Sequence, residues 1–510
     1  MELQLKQEHF PYFEALRQAP WSFEITQEAI VPDYCADVER IIDVSGCALL
    51  HSKELLPDGR LELCGVMKTT VLFLSEGEQE VRALHLSLPI HSYWECKAGG
   101  EEAKTAVTVR VKRLDARLLN PRKLLVRGEN LVEVILFPEK HLAFCSAVEE
   151  REGLQARYDT SEASLITGVL EREFSYTDEL TVSAARPAIS EILTAQTQLT
   201  ESECRVMGNR IVLKGIAKAE ILYKDEQGTL STLQQEFLFS QIVPYDGGEE
   251  GCSVRCHFDL TGVEYTSGRD GGGDEGRAIT MNLHIRAMIE LRETRRLTYL
   301  TDLYSINAEV NLERQNLPLL ETGSIGTKKQ SLRELISTAK AVRDVIWSGV
   351  ECIGWCCQSG EHGSFLESQL RLRCLYLDEN SAVCADEKDI TIKAETELGN
   401  RECIGISVRP AGEIVSSPTA DGVELRFSLE FIIEQGSIRT KTTVCRAEAA
   451  EATNQEAMPS LVLRKFTYGT KLWDIAKAYR TTTDAILSAN DLESEGDISE
   501  ECLLLIPRHK

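Results

Sequence analysis

The chain has 510 residues, 43% hydrophobic and 27% charged, an ordinary globular composition that is too long for one core. Its 81 acidic and 56 basic residues give a formal charge of -25, which repels phosphate backbones and anionic bilayers, so nucleic acid and membrane surfaces are excluded as expected partners. The 16 cysteines are irregularly spaced, Met1–Pro20 lacks a basic-then-apolar leader, and charges interrupt every apolar run before the ~18 residues of a membrane span; a soluble cytosolic chain with reduced thiols is predicted.

In chain order, short runs rich in Val, Ile, Leu, Thr and Tyr recur at Leu61–Leu74, Thr108–Leu114, Leu124–Leu136, Val212–Tyr223, Ala278–Leu291, Gln369–Leu377 and Val423–Ile433. In Thr108–Leu114 apolar and basic residues alternate at period two, the pattern of a half-buried strand. Polar segments with Gly, Pro, Asn or Asp separate the runs, so the body is predicted to be mainly β.

The chain also resembles itself. Pro32 leads into Leu61-Glu-Leu-Cys-Gly65 and then Val71-Leu-Phe73, while Pro187 leads into Ile211-Val-Leu-Lys-Gly215 and then Ile221-Leu-Tyr223. A third copy begins near Ser331, with Leu370–Tyr376 in the place of the Gly65–Phe73 strand and Ser368 where the glycine would be. Late strand pairs are predicted at Val107–Leu119 with Lys123–Leu136, at Ala278–Glu293 with Arg296–Val310, and at Ile404–Val408 with Val423–Glu434, the last bridged by a turn-rich Arg409–Gly422. A period this long dictates architecture before any single element does. The predicted units are residues 1–150, 151–318 and 319–446, the third diverged enough that a separate β domain remains its alternative.

Residues 447–459 (AEAAEATNQEAMP) have the small, acidic composition of a linker. Residues 460–510 then read as strand, helix, helix, strand: a short strand from Val462, Thr470–Tyr479 with Leu472, Trp473, Ile475, Ala476 and Tyr479 at helical spacing, Thr483–Asn490, and Leu503–Ile506 closed by Pro507.

This last segment resembles the LysM domain, a βααβ module that in most members binds N-acetylglucosamine glycans such as peptidoglycan. Gly469, Leu472, Trp473, Ile475, Ala476, Asn490, Ile498, Leu504, Ile506 and Pro507 fall in register with the family pattern. The resemblance implies a core of Leu472, Trp473, Ile475, Ala476, Ile506 and Pro507, and ligand-facing loops carrying Lys465, Tyr468, Gly469, Thr470, Lys471, Arg480 and Asn490. Thr470-Lys471 replace the family's Asp-Thr, Arg480 replaces a glycine closing the first helix, and Glu501-Cys502 replace Gly-Gln, all in or beside the glycan groove, so a protein ligand is expected in place of a glycan. Residues 461–510 net -1, from seven basic and eight acidic side chains, and are the part least repelled by an acidic partner.

The β units resemble the SPOCS domain of spore-coat assembly proteins in endospore-forming Firmicutes, through Pro32-Asp33 with Ile41-Ile42, Val71–Leu74 and Asn120-Pro-Arg-Lys-Leu-Leu-Val-Arg-Gly128. SPOCS units followed by one LysM domain imply a non-enzymatic mother-cell protein that docks, through LysM, on a SpoIVA-like coat ATPase at the forespore surface, with self-association through the β units. A peptidoglycan-binding cell-wall protein is the alternative.

The chemistry candidates read as ordinary structure. Cys252-Ser-Val-Arg-Cys256-His257 lacks the second short motif that would complete a zinc site, and Cys352, Cys356 and Cys357 read as apolar filler. Gly268–Gly276 has acidic residues and no Gly-Lys-Ser/Thr, so it is predicted to be a hairpin loop rather than a phosphate cradle. His85 and His91 flank Leu88-Pro89, and no histidine stands in a motif with a nucleophile. No catalytic residue, metal or cofactor is expected.

Overall fold

The computed structural model describes residues 2–77, 80–96, 103–247, 252–267, 276–360, 363–396, 402–450, 460–467, 469–498 and 502–508. The chain is mainly β, and no helix is long and apolar enough to cross a membrane. The glycine-rich segment 268–275 lies outside the described residues.

The strands run β1 (Leu5–Phe13), β2 (Leu16–Arg17), β3 (Trp21–Ile30), β4 (Val38–Leu55), β5 (Arg60–Ser75), β6 (Val81–Glu95), β7 (Lys104–Asn120), β8 (Lys123–Phe137) and β9 (Glu139–Val148). Next come β10 (Leu154–Thr181), β11 (Ile189–Met207), β12 (Arg210–Asp225), β13 (Leu230–Pro244), β14 (Ser253–Ser267) and β15 (Ala278–Ser305). Then follow β16 (Val310–Ser337), β17 (Val342–Gly360), β18 (Gly363–Asp378), β19 (Val383–Thr396), β20 (Glu402–Thr419) and β21 (Gly422–Ala449). One plan occurs three times: a three-stranded antiparallel sheet, β4-β5-β6, β11-β12-β13 or β17-β18-β19, faces a second sheet in which β8, β15 or β21 lies between the strands before and after the first.

Period-two patterning makes each facing pair a sandwich. Along β8, Leu124, Val126, Val132, Val134 and Leu136 point inward to Leu61, Leu63, Met67, Val71 and Phe73 of β5. Ile211–Tyr223 face Ile279–Leu291 in the second unit, and Leu366–Tyr376 face Val423–Ile433 in the third. Gly65, Gly215 and Ser368 each stand eight positions before the buried aromatic Phe73, Tyr223 or Tyr376, beside a register shift in the neighbouring strand. A Cβ on Gly65 would fall 2.2 Å from the Leu49 carbonyl, so that position admits no side chain.

The units meet at both ends. Leu72, Leu222 and Leu375, each just before its unit's buried aromatic, join Ile42, Val81, Leu193 and Val383 in one shared cluster. At the other end the 28-residue strands β10, β15, β16 and β21 extend beyond their sandwiches as ribbons and pack with the β1/β9 ribbon through Leu142, Phe144, Leu165, Leu297, Tyr299, Leu317 and Leu319. Between the ends, buried cations reach across from one unit to the next. Arg373 donates to Asp43 (2.5 Å) and the Val44 carbonyl (2.8 Å), and Arg286 to the Leu50 and His51 carbonyls (3.3 and 2.8 Å). Arg292 donates to Glu434 (2.7 Å), which also pairs with Arg255.

Four sequence expectations are corrected. Ala278–Glu293 and Arg296–Val310 do not pair with each other: β15 runs unbroken from Ala278 to Ser305 and pairs with β10 and β14. Arg409–Gly422 is not a bridging loop: β20 continues to Thr419, with Pro410 tolerated because β20 is an edge strand and the turn confined to residues 420–421. The linker does not start at 447, since β21 runs to Ala449 with Ala447 buried against Leu3 and Leu303; residues 451–459 lie outside the described residues. No break falls at 318, because β16 runs unbroken through it, paired Pro318 to Thr440. In each case a strand continues where composition suggested a boundary.

Two outcomes test this packing. Glu434→Ala removes the carboxylate shared by Arg292 and Arg255, leaving the buried Arg292 with Glu290 alone, and is expected to cost roughly 1–3 kcal/mol, read as a lower urea midpoint. Asn130 is fully buried, and neither its amide oxygen nor its nitrogen has a partner among the described residues, whereas the equivalent places in β15 and β21 hold Ile285 and Leu429. Asn130→Leu is therefore expected to raise the urea midpoint, by about 1–3 kcal/mol.

Candidate functional site

The C-terminal module begins with β22 (Leu461–Lys465), which pairs antiparallel with β23 (Leu503–Pro507), Leu461 opposite Pro507 and Lys465 opposite Leu503. Between them lie α1 (Leu472–Tyr479), α2 (Thr483–Ala489) and a 3-10 turn at Glu495–Asp497. Leu472, Ile475 and Ala476 of α1, Ile486 of α2, and Leu504 and Ile506 of β23 form the buried centre, as the helical and strand spacings require.

Three local devices hold the loops. The side chain of Thr482 caps α2 by accepting the Ala485 N–H at 3.0 Å. Lys471 gives α1 no side-chain cap, and the carboxylate of Glu495 accepts the Leu472 N–H at 2.7 Å instead, tying the loop before α1 to the turn after α2. Asn490 donates to the Ile486 and Leu505 carbonyls, both at 2.7 Å, and accepts the Leu505 N–H at 2.8 Å. That clamp assigns Asn490 to the fold rather than to a ligand. Arg480 closes α1 in the left-handed region with φ +52°, the conformation that explains a glycine at such a helix end.

Of the other predicted loop residues, Lys465, Gly469 and Lys471 are exposed and Thr470 is half-buried with its hydroxyl 2.9 Å from that of Thr467; Tyr468 lies outside the described residues. Gly469 has φ +80° and open space around it. Leu472, Ile475, Ala476 and Ile506 are buried, and Pro507 ends β23 half-buried.

Trp473 lies at a seam with the body. Its indole N–H donates to Asp302 of β15 at 2.8 Å, and its ring stands edge-on to Tyr304 with centroids 4.9 Å apart. Lys477, one helical turn on, donates to both oxygens of Asp302 at 2.6 and 2.8 Å, and Arg314 adds a third donor at 2.9 Å. Tyr304, 4% exposed, donates to the Thr481 carbonyl at 2.7 Å. Burial, with the nearby Asp302 charge, pushes the Tyr304 phenol up to about 12, so it remains a donor at any physiological pH. Burial also opposes ionisation of Asp302, but the Lys477 and Trp473 bonds overcome it and hold the carboxyl below its usual range.

Asp302 and Tyr304 were not legible in the sequence. They stand about 170 positions before their partners, in an Asp-Leu-Tyr step that any edge-facing strand could carry. With α1 seated on the body, the outward part of the module is the other face of its two-stranded sheet, where Leu461, Leu463 and Leu503 are 55%, 63% and 65% exposed, and the loop carrying Lys471. Apolar exposure of this kind is typical of contact surfaces.

The three units also border an open cavity of about 820 Å³, lined by Arg110, His257, Glu434 and Trp355 among others. Arg110 pairs with Glu133 at 2.7 Å and lies over the Trp355 ring, and His257 sits 3.1 Å from both Asp259 and Thr108. Cys256 is buried in the core of the second unit and its neighbour His257 is exposed, as alternation along a strand requires, although both border the cavity. Cys352 and Cys357 are packed against the third core as expected, whereas Cys356 is exposed.

The seat is testable by pH and by substitution. Because the docked Asp302 titrates below its unfolded value, its contribution is complete above about pH 4 and disappears as the pH falls through the lowered value. Asp302→Ala is expected to weaken the seat by roughly 2–3 kcal/mol, seen as faster hydrogen–deuterium exchange in Trp473–Thr481 at pH 7.

Residues 188–267, from β11 through β14, match the family model described as SipL, SPOCS domain. The match marks the chain as sporulation-related. Comparison with curated proteins and with solved structures gave no match.

Proposed function

We propose that the chain is a non-enzymatic spore-coat assembly protein of the mother-cell cytosol, a β scaffold of SPOCS-like units whose LysM-like terminal module docks on a coat basement-layer ATPase at the forespore surface. The observation that carries this reading is the pairing of a SPOCS match within the body with a terminal βααβ module seated on that body through Asp302 and Tyr304. The seat leaves the module oriented, with Leu461, Leu463, Leu503 and Lys471 outward, and an oriented contact surface loses less freedom on binding than one swinging on a tether.

Two features favour a protein ligand over a glycan. Glu495 bridges the loops beside the family's groove, and Asn490 is consumed by three hydrogen bonds inside the fold. The pairing of Arg110 with Glu133 and of His257 with Asp259 at the central cavity fits a scaffold. The units would also carry self-association of the scaffold.

The test is a binding assay with the purified coat ATPase and, in parallel, purified peptidoglycan. The full chain is expected to retain the ATPase, the chain ending at Ala450 to lose it, and Leu463→Asp and Lys471→Glu each to weaken retention about tenfold or more. Tight binding to peptidoglycan with no binding to the ATPase overturns the reading and makes the chain a cell-wall protein.

A further inference from the structure

On the outer face of the first unit, β5 and β6 place four functional side chains side by side. Cys64 stands directly opposite His91, and Glu62 opposite Tyr93. Residues two apart on a strand share a face, so the four form a two-by-two patch, while Leu61 and Leu63 between them point into the core and are fully buried. His91 Nε2 lies 2.7 Å from Glu62 Oε1, and the Tyr93 hydroxyl donates to that same oxygen at 2.7 Å. The thiol of Cys64, the imidazole of His91 and the carboxylate of Glu62 all lie within 4.8 Å of one another.

The fold does not demand this set. At the same positions the second unit has Lys214 opposite Ser240 and Val212 opposite Ile242; the third has Glu367 opposite Lys393 and Phe365 opposite Glu395. Those are ordinary surface pairs, and Lys393 and Glu367 form an ion pair at 3.4 Å. Only the first of the three equivalent patches gathers a sulfur, a nitrogen and an oxygen donor.

We propose that Glu62, Cys64 and His91 form a zinc site with three protein ligands and an open fourth position. Zinc takes Cys sulfur at about 2.3 Å and His nitrogen or carboxylate oxygen at about 2.0–2.2 Å, which spaces the ligand atoms of a tetrahedron roughly 3–4 Å apart. Small side-chain rotations reach that from the present spacing. The mixed donor set suits a borderline-soft ion; magnesium and calcium, which ask for six or more oxygens, are not served by it. Tyr93 orients the carboxylate from outside, the usual work of an outer partner, and Arg60 beside it is neutralised by Asp58 at 2.6 Å. Because two ligands come from β5 and one from β6, the ion cross-links the strand pair. Its open position, on an exposed face, is filled by water or by a donor that displaces it.

The experiment uses the full chain, reduced and stripped of metal, titrated with Zn²⁺ against a chromophoric chelator and with Co²⁺ as a spectroscopic probe. Wild type is expected to bind one tight equivalent and to show a thiolate-to-cobalt charge-transfer band. Cys64→Ser loses the band and that equivalent, His91→Gln and Glu62→Gln weaken binding about tenfold or more, and Cys356→Ser, which removes an exposed thiol elsewhere, leaves both intact. Circular dichroism of each variant confirms that these surface changes leave the fold standing. Absence of a tight equivalent in wild type overturns the site, as does binding by Cys64→Ser and His91→Gln equal to that of wild type.

Discussion

Arg292 and Glu434 are each more than nine-tenths buried and come from different units, and with Glu290 beside Arg292 and Arg255 beside Glu434 they close one ionic network across the seam. The same constraint recurs wherever the units touch: Arg373 reaches Asp43, Arg286 reaches the Leu50 and His51 carbonyls, and Lys224 reaches Glu80. Each cation is also held by a carboxylate of its own unit, Arg373 by Glu351, Arg286 by Glu173 and Lys224 by Glu191, so it is oriented before it reaches across and its cross-unit bonds are directional. They specify one arrangement of three sandwiches whose apolar faces alone would accept several. Apolar clusters join the units at the two ends, and the polar contacts between them fix the register.

The terminal module obeys the same logic on a smaller scale. Its centre of Leu472, Ile475, Ala476, Ile486, Leu504 and Ile506 would close without the body, but its orientation rests on Asp302 gathering an indole, an ammonium and a guanidinium, with Tyr304 reaching the Thr481 carbonyl. A carboxylate with three donors, held below its usual titration range, is a directional joint, whereas the Tyr304–Trp473 contact by itself would allow the ring to slide. The seat turns the leucine-bearing sheet face away from the body.

Much of the fold was legible because strands advertise themselves by period. The alternation at Thr108–Leu114 lies within β7, and the spacing from Gly65 to Phe73 recurs from Gly215 to Tyr223 in the structure as it does in the sequence. Arg122, in the Asn-Pro-Arg step that carried the SPOCS resemblance, proves to hold the loop at residues 31–37 through the Val31, Pro32 and Cys35 carbonyls and Asp37. Boundaries were less legible: Pro410 and the alanines near 447 suggested interruptions that the edge position of β20 and the ribbon packing of β21 override. Trp473 sits on an apolar stripe with Leu472, Ile475 and Ala476, and helical spacing does not separate a core residue from one at a seam between two parts of a chain.

By itself the sequence determined the β character of the body, its repeated strands and the order of elements in the terminal module, because these follow from side-chain periodicity and turn chemistry within a few tens of residues. Only the tertiary structure decided which groups meet: Asp302 with Trp473 and Lys477, Arg292 with Glu434, and Cys64 with His91. Those pairings join positions 27 to 175 residues apart. Contacts at that range are set by how sheets stack and strands pair, and no local pattern encodes them.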